Sequence, residues 1–247
     1  MNHDVSGHGF SPAAGAWRER IRLLVFDLDG TLVDSSLDLT AAVNATLANL
    51  GRPPLPLTTV RNFIGDGARL LVRRSLGLEP EAAAALRGGG VEAAPESAVE
   101  PSLDFLLHYY AAHLLDQTTV FPGVSEAIER LFRGFPLAVL TNKPEAPSRA
   151  ILAGLHLDRY FGQVVGGDTL PTRKPDPAGV VLLASTLGVS PDRILVVGDS
   201  GIDVHTARAA GAMACGVRYG FAVEGLLKAA PDLIVDDLRD LAAMLIG

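Results

Sequence analysis

The sequence predicts an α/β protein, a doubly wound parallel sheet with a separate helical unit inserted after its first strand. Six short runs rich in Val, Ile and Leu carry the first half of that reading: Leu23–Phe26, Leu137–Leu140, Val164–Val165, Ile194–Val197, Ala214–Val217 and Leu233–Val235. Runs this short, set apart by helix-length segments, are what parallel strands buried on both faces look like. The second half rests on a gap, because more than a hundred residues separate the first run from the second.

Taken in order, the first 20 residues include Asp4 and Glu19 and hold no long apolar stretch, so they read as a loose extension rather than a signal peptide. The core then takes residues 21–34 and 117–247, and the inserted unit takes 35–116. Inside the insert, Leu39, Val43, Leu47 and Leu50 fall on one helical face, and Leu103, Leu106, Leu107, Tyr110 and Leu114 on another. The stretch from Arg87 through Pro95 to Pro101, with three glycines in a row, reads as a surface loop between helices.

Composition bounds the function. The 247 residues suffice for one large domain or two small ones, and 48% are apolar, as in a folded globular protein. A net charge of −7 argues against nucleic acid and anionic membrane surfaces as partners. An anionic ligand would then need a local cation or metal to reverse the field. The single cysteine, Cys215, forms no intrachain disulfide and fits a reducing, cytoplasmic setting. The apolar runs fall far short of the roughly 20 residues that span a bilayer. Monomer and homodimer stay equally open.

Four strand ends carry chemistry. The first runs into Asp27-Leu28-Asp29-Gly30-Thr31, and ligands of open parallel sheets bind at the carboxyl ends of strands. Paired carboxylates there repel unless a divalent cation compensates them. The second run ends in Thr141-Asn142-Lys143, suited to hydrogen-bond an oxyanion, and the third leads to Lys174, one of three lysines. The fourth ends in Gly198-Asp199-Ser200, with Asp203 one helical turn on. A capped or solvated turn accounts for any one of these groups. It does not account for their repetition on four successive strands, where Asp27, Asp29 and Asp199 would form a hard oxygen cage suited to Mg²⁺.

In order, these segments resemble the four motifs of the haloacid-dehalogenase-like superfamily, from about Arg22 to the C-terminus. Phe63-Ile64-Gly65-Asp66-Gly67 and Gly167-Asp168-Thr169-Leu170 resemble its phosphoglycolate phosphatase branch more narrowly. The resemblance implies a Rossmann-like core with a helical cap, and hydrolysis of 2-phosphoglycolate through an aspartyl-phosphate. Asp27 is then the nucleophile and Asp29 the acid and base. Thr141, the Asn142 backbone and Lys174 hold the phosphoryl group, with Leu28 and Gly30 beside it. Mg²⁺ falls to the Asp27 carboxylate, the Asp29 carbonyl and Asp199, with Asp203 supporting or ligating.

In the insert, Gly65 and Gly67 would let a loop approach the substrate, and Arg69, with Arg73 and Arg74, is a candidate cation for it. Asp66 is awkward there, since its charge would repel an anion. Other readings stay open: a phosphatase for a sugar phosphate or pyrophosphate, a hexose-phosphate mutase, or a signalling module phosphorylated on aspartate. Asp29 favours hydrolysis over the last of these, because a switch needs a long-lived acyl phosphate.

Overall fold

The computed structural model describes residues 14–87 and 92–247. Strand β1 (Leu23–Phe26) is followed by β2 (Val33–Asp34), then by helices α2 (Ser36–Asn49), α3 (Leu57–Arg61), α4 (Ala68–Ser75), α5 (Pro80–Arg87) and α6 (Val99–Ala112). Ahead of them stands α1 (Ala14–Arg20). After β3 (Thr119–Val120) the chain alternates: α7 (Val124–Phe132), β4 (Leu137–Leu140), α8 (Glu145–Gly154), β5 (Gln163–Val165), α9 (Ala178–Leu187) and β6 (Ile194–Gly198). It closes with α10 (Gly201–Ala209), β7 (Met213–Val217), α11 (Val223–Ala229), β8 (Leu233–Val235) and α12 (Leu238–Ile246).

Six strands form one sheet in the order β5-β4-β1-β6-β7-β8, every pairing parallel. All six apolar runs are strands. Alternation along β1 explains why the runs are continuous: Leu24 and Phe26 enter one core with Ile128, Leu131 and Leu241, while Leu23 and Val25 enter the other with Val180, Leu183 and Val204. Helices therefore cover both faces. The chain moves from β1 to β4 and β5 on one side, then crosses to β6 on the other. That reversal flanks the carboxyl end of β1, where a doubly wound sheet opens a crevice.

Helices α2 to α6 bury a third cluster, with Leu39, Val43, Leu47, Phe63, Leu71, Leu106 and Tyr110 in it. The chain enters and leaves this unit side by side, because β2 and β3 pair antiparallel. The Asp38 carboxylate, 1% exposed, accepts hydrogen bonds from the Gln117 and Thr118 backbone N–H groups and the Thr118 hydroxyl at 2.7–3.0 Å. That clasp ties the first helix of the unit to the strand that leaves it.

Several expectations are corrected. Residues 14–20 are not loose: they form α1, whose Trp17 is buried against the core of α7 and α12, and residues 1–13 lie outside the described residues. Leu50 does not join the α2 face. Gly51, at φ +65°, ends the helix with bonds from Gly51 N–H to Ala48 O and Arg52 N–H to Leu47 O, and Leu50 is left 38% exposed. Arg87 ends α5, and Pro101 sits in the first turn of α6, where proline is tolerated; residues 88–91 of that expected loop lie outside the described residues. Leu114 lies beyond the end of α6. Among the described residues, no helix is long and apolar enough to cross a membrane.

Candidate active site

Parallel register brings the strand ends to one edge: Phe26 faces Val139 on one side and Val197 on the other. Asp27 follows, its N–H donating to Val197 O at 2.9 Å, and Thr141 and Asp199 emerge beside it. The turn after Asp27 is tight. The Leu28 carbonyl accepts from Leu32 and Val33, and the Leu28 side chain is wholly in the core, so its backbone N–H is what it could offer a ligand. Gly30 lies at φ +88°, and a Cβ there would run into the Asp199 carboxylate.

Lys174 reaches this edge from the connection after β5. Its ammonium, 2% exposed, lies 2.8 Å from Asp27 Oδ1 and 2.6 Å from Asp203 Oδ1. Asp27, Asp199 and Asp203 each bring a carboxylate oxygen within 4.8 Å of the other two, and all three are buried. Asp203 is engaged twice, since its second oxygen accepts from the Ser200 hydroxyl at 2.6 Å and the Ser200 N–H at 3.2 Å. It therefore caps α10 and anchors Lys174 at once. Asp199 accepts from the Phe221 N–H at 2.6 Å.

Charge in this bowl is unbalanced. Burial, with Asp203 next, pushes the Asp199 carboxyl up to about 8. Burial also lifts Asp27 to about 6, although Lys174 pulls against it. For Lys174 itself burial works to remove the proton, but Asp203 and Asp27 outweigh it and hold the ammonium above its usual range. Three acidic groups thus face one cation. A divalent, oxygen-loving ion such as Mg²⁺ fits that donor set, since it supplies the missing charge to hard ligands.

Asp29 belongs to a different network. Its carboxylate is not in the trio; it takes the Lys143 ammonium at 2.8 and 2.9 Å and the Ser35 hydroxyl. Lys143 stands 4.8 Å from the ring centroid of Tyr110, which α6 contributes. Burial would strip the Lys143 proton, but Asp29 and then Tyr110 keep it bound.

Asn142 joins the parts. Its amide donates to Gly65 O at 3.0 Å and Lys174 O at 3.1 Å, linking the inserted helices to the core. Gly67, at φ +90°, starts α4 so close to Asn142 O and Arg173 that a side chain would crowd both. A pocket with about 570 Å³ of empty space, its open mouth included, lies between α2, α4 and α6 and the sheet edge. Asp27, Asp29, Thr141, Asn142 and Lys143 line one end, and Leu39, Ile64, Leu71, Leu106 and Leu107 the other.

The three arginines expected to serve a ligand lie elsewhere. Arg69 does not line the pocket: its two terminal guanidinium nitrogens donate to Glu100 on an exposed flank. Arg73 pairs with Glu79 and Glu96, and Arg74 with Asp66 at 2.5 Å, which also accounts for the awkward acid. A helical segment with both charges nearby satisfies its own ions before it serves a ligand. Sequence reasoning also missed Tyr110, read as a core position, and the Phe221 N–H, for which no side chain leaves a signal. The Ser200-x-x-Asp203 spacing is a capping box and could have been read as one.

Fold and site define an enzyme with a carboxylate-centred active site at the switch point of a doubly wound sheet. The family model for haloacid dehalogenase-like hydrolases matches residues 21–211, and the chain belongs to that family. It is 44% identical over 223 residues to "Phosphoglycolate phosphatase 1" of Pseudomonas aeruginosa, covering 89% of this chain and 78% of the relative. Against phosphoglycolate phosphatase of Rhodospirillum rubrum the identity is 42% over 221 residues, 89% of each. A crystal structure described as a predicted phosphoglycolate phosphatase from Haemophilus somnus 129pt superposes with a TM-score of 0.82 at 33% identity, over 91% of this chain and 98% of that one. The protein is a phosphoric monoester hydrolase.

Proposed function

We propose that the protein hydrolyses 2-phosphoglycolate to glycolate and phosphate through an aspartyl-phosphate on Asp27. The observation that carries this reading is the Lys174 ammonium 2.8 Å from Asp27 inside a buried ring of carboxylates. A carboxylate nucleophile needs neighbours that neutralise the dianionic phosphoryl group it attacks, and Lys174 is such a neighbour.

The Asp27 oxygen attacks phosphorus while the bond to the glycolate oxygen breaks, and Asp29 gives that oxygen a proton. Water then attacks the phosphorus of the aspartyl-phosphate, and the bond from phosphorus to the Asp27 oxygen breaks. Asp29 takes a proton from the water, and phosphate leaves with Asp27 restored. Thr141 and the Asn142 N–H stand at the strand end where they would hold phosphoryl oxygens, with the Leu28 amide opposite; the Gly30 N–H, expected beside it, is instead donated to Val33 O at 2.9 Å and closes the turn. Asp203 positions Lys174. The Asp27 and Asp199 carboxylates and the Asp29 carbonyl would hold Mg²⁺, which supplies charge neutralisation of the phosphoryl group when bound.

Residues 35–116 act as a cap. The Gly65–Asn142 bond and the apolar wall of the pocket support their closing over the site and excluding water during the first step. Phosphate release should be followed for 2-phosphoglycolate, several sugar phosphates and pyrophosphate with Mg²⁺ present. A clear preference in kcat/KM for 2-phosphoglycolate is expected; equal or better turnover of the sugar phosphates would refute the substrate.

A further inference from the structure

Arg69, Arg73 and Arg74 are taken by Glu100, Glu79, Glu96 and Asp66 and line no part of the pocket, so a substrate with an anionic group on its alcohol side needs another cation there. Among the residues lining the pocket, Lys143 is the one with a positive side chain. Its ammonium bonds both oxygens of Asp29, which leaves one N–H. Beside it the Tyr110 hydroxyl is buried, lines the same pocket and makes no well-formed hydrogen bond, although it stands close enough to the Lys143 ammonium to help hold its proton. A buried hydroxyl without a good partner is unfavourable, and a bound oxygen would satisfy it.

We infer that Lys143 and Tyr110 form the subsite for the carboxylate of the substrate, and so set the preference for phosphate esters of small hydroxy acids. The inference rests on the phosphatase reading and deepens it. In 2-phosphoglycolate the carboxylate is one methylene from the oxygen that leaves. A group that reads it must therefore adjoin the acid that protonates that oxygen, and Lys143 lies 2.8 Å from Asp29. Lys143 thus orients Asp29 with two hydrogens and offers the third to the substrate, while Tyr110 brings a donor from the inserted helices. Only an occupant with an acceptor at that end completes both groups. The rest of the pocket is apolar enough to give a neutral sugar few hydrogen bonds in return.

The test compares 2-phosphoglycolate with ethyl phosphate, in which a methyl group replaces the carboxylate. With Mg²⁺ present, kcat and KM are measured for the wild type, Lys143→Met and Tyr110→Phe. Lys143→Met should lower kcat/KM for 2-phosphoglycolate roughly a hundredfold more than for ethyl phosphate. Tyr110→Phe should raise KM for 2-phosphoglycolate about tenfold and leave that for ethyl phosphate in place. A proportional fall for both esters in both variants would mean that the pair only supports Asp29, and would overturn the subsite. If Lys143→Met does not fold, Tyr110→Phe decides alone. A wild type that handles both esters equally also overturns it. One that prefers some other substrate, yet still favours 2-phosphoglycolate over ethyl phosphate, overturns the substrate assignment and leaves the subsite standing.

Discussion

The acidic bowl on the sheet and the charged flank of the inserted helices hold the same kinds of side chain and use them in opposite ways. In the bowl, Asp27, Asp199, Asp203 and Lys174 are buried and left with an excess of negative charge. On the flank, Arg69, Arg73 and Arg74 each meet an acid near solvent, and Arg73 meets two. An unbalanced buried set is expensive to fold and persists where chemistry needs it; a balanced exposed set contributes little and asks for no ligand. Charge alone does not mark a site. Charge that the fold declines to neutralise does.

The comparison breaks first at Asp27. Asp27→Asn should cut phosphate release on the order of 10⁴-fold or more, because it removes the proposed nucleophile rather than a helper; loss of less than about tenfold would move the nucleophile elsewhere. Lys174→Met should come next, destabilising the protein by about 3–5 kcal/mol, since it leaves three buried carboxylates without their ammonium. Denaturant unfolding at pH 8 and pH 5 checks this, with the smaller loss expected at pH 5, where the carboxyls can take up protons.

Asp38→Ala tests the clasp between the two units. It orphans the buried Thr118 N–H and hydroxyl and the half-buried Gln117 N–H, and about 3 kcal/mol of stability should go with it. Equal unfolding midpoints for Asp38→Ala and the wild type would show that the β2–β3 ribbon holds the connection by itself.

Metal removal sharpens the charge argument. In the metal-free protein Asp27 and Asp199 hold protons more tightly folded than unfolded, so the native state binds the extra protons between the ordinary carboxyl value of 3.8 and about 8. The contribution of these two groups to stability is then greatest below that window and declines as pH rises through it. Melting temperatures in EDTA should fall from about pH 5 to about pH 8, and Mg²⁺ should flatten the decline. A flat profile in EDTA would deny the unbalanced charge. Arg69→Ala is the smallest effect: kcat/KM should stay within about twofold, because this side chain is exposed and paired away from the pocket.

The strands were legible because both faces of the sheet are buried, which writes unbroken Val, Ile and Leu runs into the chain. The strand-end motifs were legible for a related reason: Asp27, Thr141, Lys174 and Asp199 each sit beside a strand or its connection, so position along the chain already implied position along the sheet edge. Leu50 and Trp17 were misread, since one glycine after a helix and one aromatic in a polar segment act through packing rather than periodicity.

What the sequence by itself determined is therefore the α/β core and the identity of the acids at its carboxyl edge, because local periodicity and turn chemistry are short-range properties. What tertiary structure decided is which charges stay unpaired. Arg69 found Glu100 thirty-one residues away, Lys143 found Asp29 across 114, and Tyr110 came down from a helix in the insert to stand over that pair. Partnership of this kind depends on through-space distance and burial, and neither is a function of spacing along the chain.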